Sequence, residues 1–404
     1  MPRPSLSAES VERISSSLVS ACAPSNSNFR RQPVHVVYGG AHLFQAGSAR
    51  KLGDIAIRTL ETHAAAAADL FPAAIYERVM EKLRREPVED YRIDFEDGFG
   101  SRSDAEEDAQ AVRAAGQMME GMAASLLPPF LGIRIKALTP ESHRRALRTL
   151  ELFLSTCDGK VPAGFVVTLP KITSAVQVAA LADALDEMGV DAGIELMIET
   201  PQSLDGARLA DAARGRCRAA HFGAYDYTAS IGIVSAHQDL LHPSCDYARN
   251  RMQESFGGTD VFVADGATNI LPVGEPDVVV RAWRLHYKHI RLALSGGFYQ
   301  GWDLHPAQLP VRYAATYSFF GEGLEAAGTR LRKFMAAAAQ ATRSGEVFDD
   351  AATGQGLLNF FIRAMNCGAV SEAEAVDASG ISAEGLRGAS FQALMGGRWL
   401  GKVS

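Results

Sequence analysis

Short apolar runs alternate with longer amphipathic stretches through most of this chain. The runs occupy residues 34–38, 91–95, 131–135, 164–169, 194–198, 219–222, 261–264 and 297–302. Each is nearly continuous in apolar residues and ends in polar residues or glycine. That is the pattern of strands buried on both faces in a parallel sheet. The stretches between them read as helices. Residues 103–124 carry Asp104, Glu106, Glu107 and Asp108 at their start, which suits the positive end of a helix. Thr139 before Pro140 predicts a cap followed by a first-turn proline, opening a helix over 140–155. Residues 174–188 place Val176, Val178, Leu181, Leu185 and Met188 near helical spacing, and 277–294 form another amphipathic stretch. Eight strands alternating with helices over residues 31–310 predict an α/β fold, a (β/α)8 TIM barrel. A doubly wound open sheet shares the alternation, but no Gly-x-Gly-x-x-Gly follows the first run, which lowers a dinucleotide-binding reading.

Two regions break the rhythm. Residues 237–258 read as a long insertion, of the kind that serves as a lid or binding loop. Beyond 310 the strand pattern stops, and 314–321, 323–344, 356–367, 372–378 and 383–394 read as helices. Residues 311–404 are therefore expected to form a C-terminal helical appendage, packed on the barrel or on a neighbouring subunit in a homo-oligomer. Residues 1–30 form a Ser-rich N-terminal segment without the charged start and apolar core of a secretion signal.

Composition narrows the function classes. The 404 residues are 47% hydrophobic and 22% charged, with a net charge of -7. An acidic balance argues against a nucleic-acid partner. No apolar run approaches the roughly 18 residues of a membrane helix. The five cysteines (Cys22, Cys157, Cys217, Cys245, Cys367) are odd in number and lack zinc spacing, which suits reduced thiols in a cytoplasmic protein.

In a parallel barrel, chemistry gathers at the carboxyl ends of the strands. The second run ends in Asp94-Phe95-Glu96-Asp97, three carboxylates in four residues. Such a cluster binds a cation, shares a proton or faces water as a solvated turn. In the third run Arg134 and Lys136 alternate onto one face. Arg134 suits a carboxylate or enolate, or a structural ion pair. The fourth run leads into Lys171, placed for charge pairing and positioning, with a Schiff base as the lesser alternative. Glu199 and Asp226 follow the fifth and sixth runs, and two carboxylates on adjacent strand ends suit a hard cation, though either can instead cap a helix. Asp265 and His305 stand at the ends of the seventh and eighth runs, where capping or barrel closure competes with substrate contact.

Taken in order, these strand ends resemble the citrate lyase β-subunit/malyl-CoA lyase/HpcH–HpaI aldolase superfamily. The residues that carry the resemblance are Asp94-Phe95-Glu96-Asp97, Ile133-Arg134-Ile135, Leu169-Pro170-Lys171, Ile198-Glu199-Thr200, Phe222-Gly223-Ala224-Tyr225-Asp226 and Leu304-His305-Pro306-Ala307-Gln308-Leu309. The resemblance implies a TIM barrel that binds Mg²⁺, or Mn²⁺ in its place, through Glu199 and Asp226. It implies that Arg134 grips a 2-oxo acid or enolate, with Glu96 and Asp97 as catalytic carboxylates. Lys171, Thr200, Gly223, Asp265 and His305 are expected to line the substrate. Candidate acid/bases are Asp97, a metal-bound water and His305.

The expected activity is carbon–carbon cleavage or condensation of a small 2-oxo acid aldol, or of an acyl-CoA thioester that brings coenzyme A as part of the substrate. The chain departs from the family in having Gln300-Gly301 where a Gly-Lys pair is usual, and it shows no clear basic cluster for a CoA diphosphate beyond Lys51, Arg84 and Arg85. Phosphoenolpyruvate-type chemistry and a non-catalytic barrel that binds a small organic acid are the alternatives.

Overall fold

A computed structural model describes residues 7–21, 31–344 and 351–388. Helix α1 (Ala8–Ala21) precedes the barrel. Strand β1 (His35–Gly40) is followed by α2 (Ser48–His63) and α3 (Ala73–Arg85). The repeat then runs β2 (Asp90–Asp94), α4 (Asp104–Ala123), β3 (Phe130–Arg134), α5 (His143–Thr156), β4 (Val166–Leu169) and α6 (Ala175–Glu187). It continues with β5 (Gly193–Ile198), α7 (Gly206–Ala212), β6 (Cys217–Phe222), α8 (Ala224–Ser230) and α9 (Pro243–Phe256). Strand β7 (Phe262–Ala267), α10 (Pro276–Ser295), β8 (Gln300–Asp303) and α11 (Leu309–Ser344) complete the ring. Helices α12 (Ala351–Asn366), α13 (Glu372–Ser379) and α14 (Ala383–Gly388) follow.

The strands pair in sequence order and close, β8 on β1, into an all-parallel barrel. The open doubly wound alternative is thereby excluded. All eight apolar runs became strands, because residues such as Ile194, Leu196 and Ile198 bury against the helix layer while their alternates fill the barrel.

Local chemistry sets the helix starts. Ser103 and Glu106 make a reciprocal capping box on α4, and Ser174 with Gln177 does the same on α6. Helix α5 begins later than Pro140 suggests. Thr139 bonds Ser142 through their hydroxyls at 2.9 Å, and Ser142 precedes the first helical residue.

Residues 237–258 are mostly not a loop. Cys245, Ala248, Met252 and Phe256 bury one stripe of α9, and α9 packs against β7 and α7. The stretches 314–321 and 323–344 are one helix, α11, which packs on α2, α3, α10, α12 and α13. Cys22 and residues 389–394 of the last expected helix lie outside the described residues. Cys157, Cys217, Cys245 and Cys367 are buried and unpaired. No helix among the described residues is long and apolar enough to cross a membrane.

The barrel interior is polar. Glu195 on β5 takes hydrogen bonds from Tyr38 on β1 (2.8 Å), Thr168 on β4 (2.7 Å) and Arg92 Nε on β2 (3.1 Å). Strands β1 and β5 are opposite in the ring, so the Tyr38–Glu195 bond crosses its centre. Arg92 also pairs with Asp90, and His221 Nε2 lies 3.1 Å from Glu195 without hydrogen-bond alignment. This buried network forms a floor beneath the carboxyl-end mouth.

Candidate active site

Alternation places the site. Arg92 and Asp94 share a face of β2, and the register of β2 with β3 sets Asp94 beside Arg134. Asp94 grips the guanidinium in a two-point pair, Nε to Oδ1 at 2.7 Å and Nη2 to Oδ2 at 2.5 Å. The Tyr38 ring lies under the guanidinium at 4.8 Å. Arg134 is 4% exposed, and its remaining nitrogen, Nη1, reaches Glu96 at 3.0 Å and Asp97 at 3.9 Å. Its position is therefore fixed on one side, and its free edge faces the mouth.

Lys171 stands opposite. Its ammonium pairs with Glu96, lies 3.3 Å from Asp97 and is 4.0 Å from Asp226. Its backbone N–H donates to Glu199 Oε1 at 2.5 Å. Lys171 holds φ at +50°, a left-handed conformation that costs a non-glycine residue of order 1 kcal/mol or more. Thr200 ties this loop to the next: its hydroxyl donates to the Ile172 carbonyl at 2.5 Å and accepts from Ser203 N at 3.1 Å. Ser203 Oγ in turn receives Glu199 N at 3.1 Å.

Glu199 continues the inward face of Glu195 and Met197 one residue beyond β5. A Cβ at Gly223 would fall 2.6 Å from Glu199 Oε2, so only glycine lets the end of β6 close over it. Asp226 follows on the first turn of α8 and is half exposed.

Electrostatics at the mouth are out of balance. Among the described residues, the cations that pair with Asp94, Glu96, Asp97 and Asp226 are Arg134 and Lys171, and Glu199 accepts the Lys171 backbone N–H. Burial, with Asp226 and Glu96 adding repulsion, pushes Glu199 up to about 7 against the pull of Lys171. Burial also raises Glu96, despite Arg134 and Lys171. For Asp97 burial acts upward too, but Arg134 and Lys171 outweigh it and hold the carboxyl below its ordinary value. Burial alone would lower Lys171; Glu96, Glu199 and Asp97 reverse that and hold it firmly protonated.

A divalent cation fits this donor set. Glu199 and Asp226 offer carboxylate oxygens where negative charge exceeds positive charge. Among the described residues no set of three or more His, Cys, Asp or Glu converges at metal-binding distance.

A family model described as a domain of unknown function, DUF6986, matches residues 18–394. The chain belongs to this family. No curated protein matches it. Among solved structures it is similar to RipC from Yersinia pestis, at 18% identity over 71% of this chain and 95% of that one, with a TM-score of 0.45. It is also similar to Haloferax volcanii malate synthase, at 12% identity over 84% and 98%, TM-score 0.49. An HpcH/HpaI aldolase/citrate lyase family protein from Burkholderia cenocepacia J2315 aligns at 14% identity over 74% and 96%, TM-score 0.40. Likenesses at this level carry no inference about chemistry.

In this DUF6986 chain, Glu96, Asp97, Arg134, Lys171, Glu199, Thr200, Gly223 and Asp226 come together at one mouth. The other expected residues stand apart. Asp265 turns to the helix layer, where its Oδ1 receives Arg249 Nε of α9 at 2.8 Å. His305 caps the short turn after β8, its Nδ1 accepting Ala307 N at 3.1 Å, and burial lowers its basicity. Lys136 lies past the end of β3, so the alternation shared with Arg134 lapses; it binds the Phe95 carbonyl at 2.8 Å and Glu107 at 2.9 Å. The supporting roles of Tyr38 and Ser203 were not foreseen. The sequence signals for a polar interior were the polar residues inside the apolar runs, Tyr38, Arg92, Thr168, Glu195 and His221.

Proposed function

We propose that this chain is a Mg²⁺-dependent carbon–carbon lyase or aldolase acting on a small 2-oxo acid aldol or an acyl-CoA thioester through an enolate. The observation that carries the reading is the meeting of Glu96, Asp97 and Asp226 around the Lys171 ammonium, with Glu199 on the Lys171 backbone N–H, beside the fixed guanidinium of Arg134. The strand-end motifs that resemble the aldolase superfamily supply these same residues.

Glu199 and Asp226 would hold the cation, which supplies Lewis-acid stabilisation to a neighbouring oxyanion when bound. Arg134 Nη1 turns from Glu96 to the substrate oxygen on which negative charge grows. Lys171 orients the substrate carboxylate. In the cleavage direction Asp97, held as a carboxylate, takes the proton of the aldol hydroxyl. The hydroxyl oxygen forms a carbonyl, the adjacent C–C bond breaks, and its electron pair passes into the enolate. Glu96, whose buried carboxyl favours a proton, returns one to the enolate carbon. Condensation runs the same steps backwards.

The test is a Mg²⁺-dependent screen for release of pyruvate, glyoxylate or acetyl-CoA from 2-oxo-acid aldols and acyl-CoA thioesters. Release that EDTA abolishes, and that Glu199→Gln and Arg134→Lys each lose, supports the proposal. Silence across both panels, with Mg²⁺ bound, sinks catalysis and leaves a barrel that binds a small acid.

A further inference from the structure

Helix α4 is apolar on two faces. Ala111, Ala114, Ala115 and Met118 bury one of them in the core. The other faces water. Ala105, Ala109, Val112, Gly116, Met119 and Ala123 follow one another at steps of four, three, four, three and four residues, and all six are exposed. Val112 is 44% exposed and Met119 43%. Leu126, also exposed, continues the row just past the helix end, where its N–H bonds back to the Gly121 carbonyl at 2.9 Å.

Neighbouring wall helices turn charge outward instead. Arg144, Arg148 and Glu151 stand exposed on α5, and Arg281, Arg284 and Lys288 on α10. That is the usual solvent face of an amphipathic helix. An unbroken apolar row with alternating steps of three and four is the seam by which one helix packs along another.

Gly116 points the same way. Glycine inside a helix is destabilising relative to alanine. Gly121 of the same helix has a reason within the chain, because a Cβ there would run into the Leu127 side chain. A Cβ at Gly116 would meet nothing within 4 Å. The gap serves no described residue, but it suits a second backbone that approaches closely.

The row also says which helix fits it. Ala109, Gly116 and Ala123 form a small line, seven residues apart, and Val112, Met119 and Leu126 form a larger one. A parallel copy would set small on small and large on large, leaving gaps between bulges. An antiparallel copy sets each line on the other: Val112 against Ala123, Gly116 against Met119, Ala109 against Leu126. The face is complementary to itself under a two-fold rotation.

We infer that α4 is the contact surface for a second copy of this chain, packed helix against antiparallel helix across a two-fold axis. The two barrel mouths then open in opposite directions. A single helix pair falls at the low end of the roughly 1,200–2,000 Å² that stable interfaces bury, so the dimer should dissociate on dilution.

The test is sedimentation velocity of the full chain over a dilution series. The expected result is a monomer–dimer equilibrium. Gly116→Glu and Met119→Glu should each raise its dissociation constant at least about tenfold, because each buries an unpaired carboxylate in an apolar seam. Both positions are exposed in the single chain, so the dilute variants should melt with the wild type. Lys288→Glu, on the charged face of α10, should leave the dimer intact. For direction, a Gly116→Cys chain is mixed with a Met119→Cys chain under mild oxidation. The disulfide between copies should form in the mixture and not in either chain alone, beyond what the wild type shows. A chain that stays monomeric at its highest soluble concentration, a dimer that either Glu variant leaves intact, or a disulfide that forms as readily in either chain alone overturns the inference.

Discussion

Asp94 and Arg134 form a two-point ion pair at neighbouring positions of β2 and β3, with contacts of 2.7 and 2.5 Å. The pair leaves only one guanidinium nitrogen for the mouth. Lysine cannot reproduce this, since a single ammonium cannot hold Asp94 at two points and reach the substrate as well. Arg134→Lys should fold yet lower turnover by about 10²-fold, the scale of one lost oxyanion donor. Asp94→Ala strands a buried guanidinium and should cost about 3–5 kcal/mol in urea unfolding. Wild-type stability in Asp94→Ala would show the pair to be idle.

Mg²⁺ should raise the melting temperature of the wild type, by mass action on the folded state. Glu199→Gln and Asp226→Asn should each lose that rise. Gly223→Ala should weaken it, because the new methyl carbon displaces the Glu199 carboxylate it would meet at 2.6 Å. An unchanged Mg²⁺ response in Glu199→Gln would place the cation elsewhere.

Lys171 should not form a Schiff base. A Schiff-base lysine needs a lowered pKa to expose its lone pair. The carboxylates around Lys171 instead hold it protonated. Borohydride reduction in the presence of pyruvate should leave the protein mass unchanged. A mass gain that maps to Lys171 would replace the metal reading with imine chemistry.

His35 gives the fold an acid-sensitive element. It is fully buried; its Nε2 accepts Glu89 N at 3.0 Å, and burial lowers it to about 4. The unfolded chain takes up this proton at the ordinary value near 6.5, the folded chain only near 4. Acid therefore favours unfolding across that window, by up to about 3 kcal/mol, at roughly 1.4 kcal/mol per pH unit. His35→Gln keeps an acceptor for Glu89 N but cannot take a proton. The stability of the wild type relative to His35→Gln should fall as pH drops from 6.5 towards 4. Urea midpoints with a gap that does not change with pH would refute the assignment.

The barrel was legible because its strands are buried on both faces, so each shows as a short, largely apolar run, broken only where a side chain enters the polar interior. The mouth was legible because strand ends carry the polar residues of such a barrel. What sequence could not give was side-chain direction near a strand end. Asp265 was expected beside the substrate, but on β7, next to a register shift against β8, it faces Arg249 of α9. Helix α9 hid because its buried stripe is narrow, carried by Cys245, Ala248, Met252 and Phe256 between polar residues. Gly321 and Gly323 suggested a break in α11. The helix continues, and a Cβ at Gly323 would meet Phe360 at 3.0 Å, so that glycine makes room for α12.

Helix α11 has a consequence for how the chain can be divided. It begins on the last barrel strand as the eighth wall helix, and the same helix carries α12 and α13. The C-terminal helices therefore cannot be cut away at residue 310 as a passenger. Such a cut strips the seam between β8 and β1 of the helix that carries Tyr313, the ring packed against His35 at 5.5 Å. Barrel and appendage share one rod and should melt as one cooperative unit.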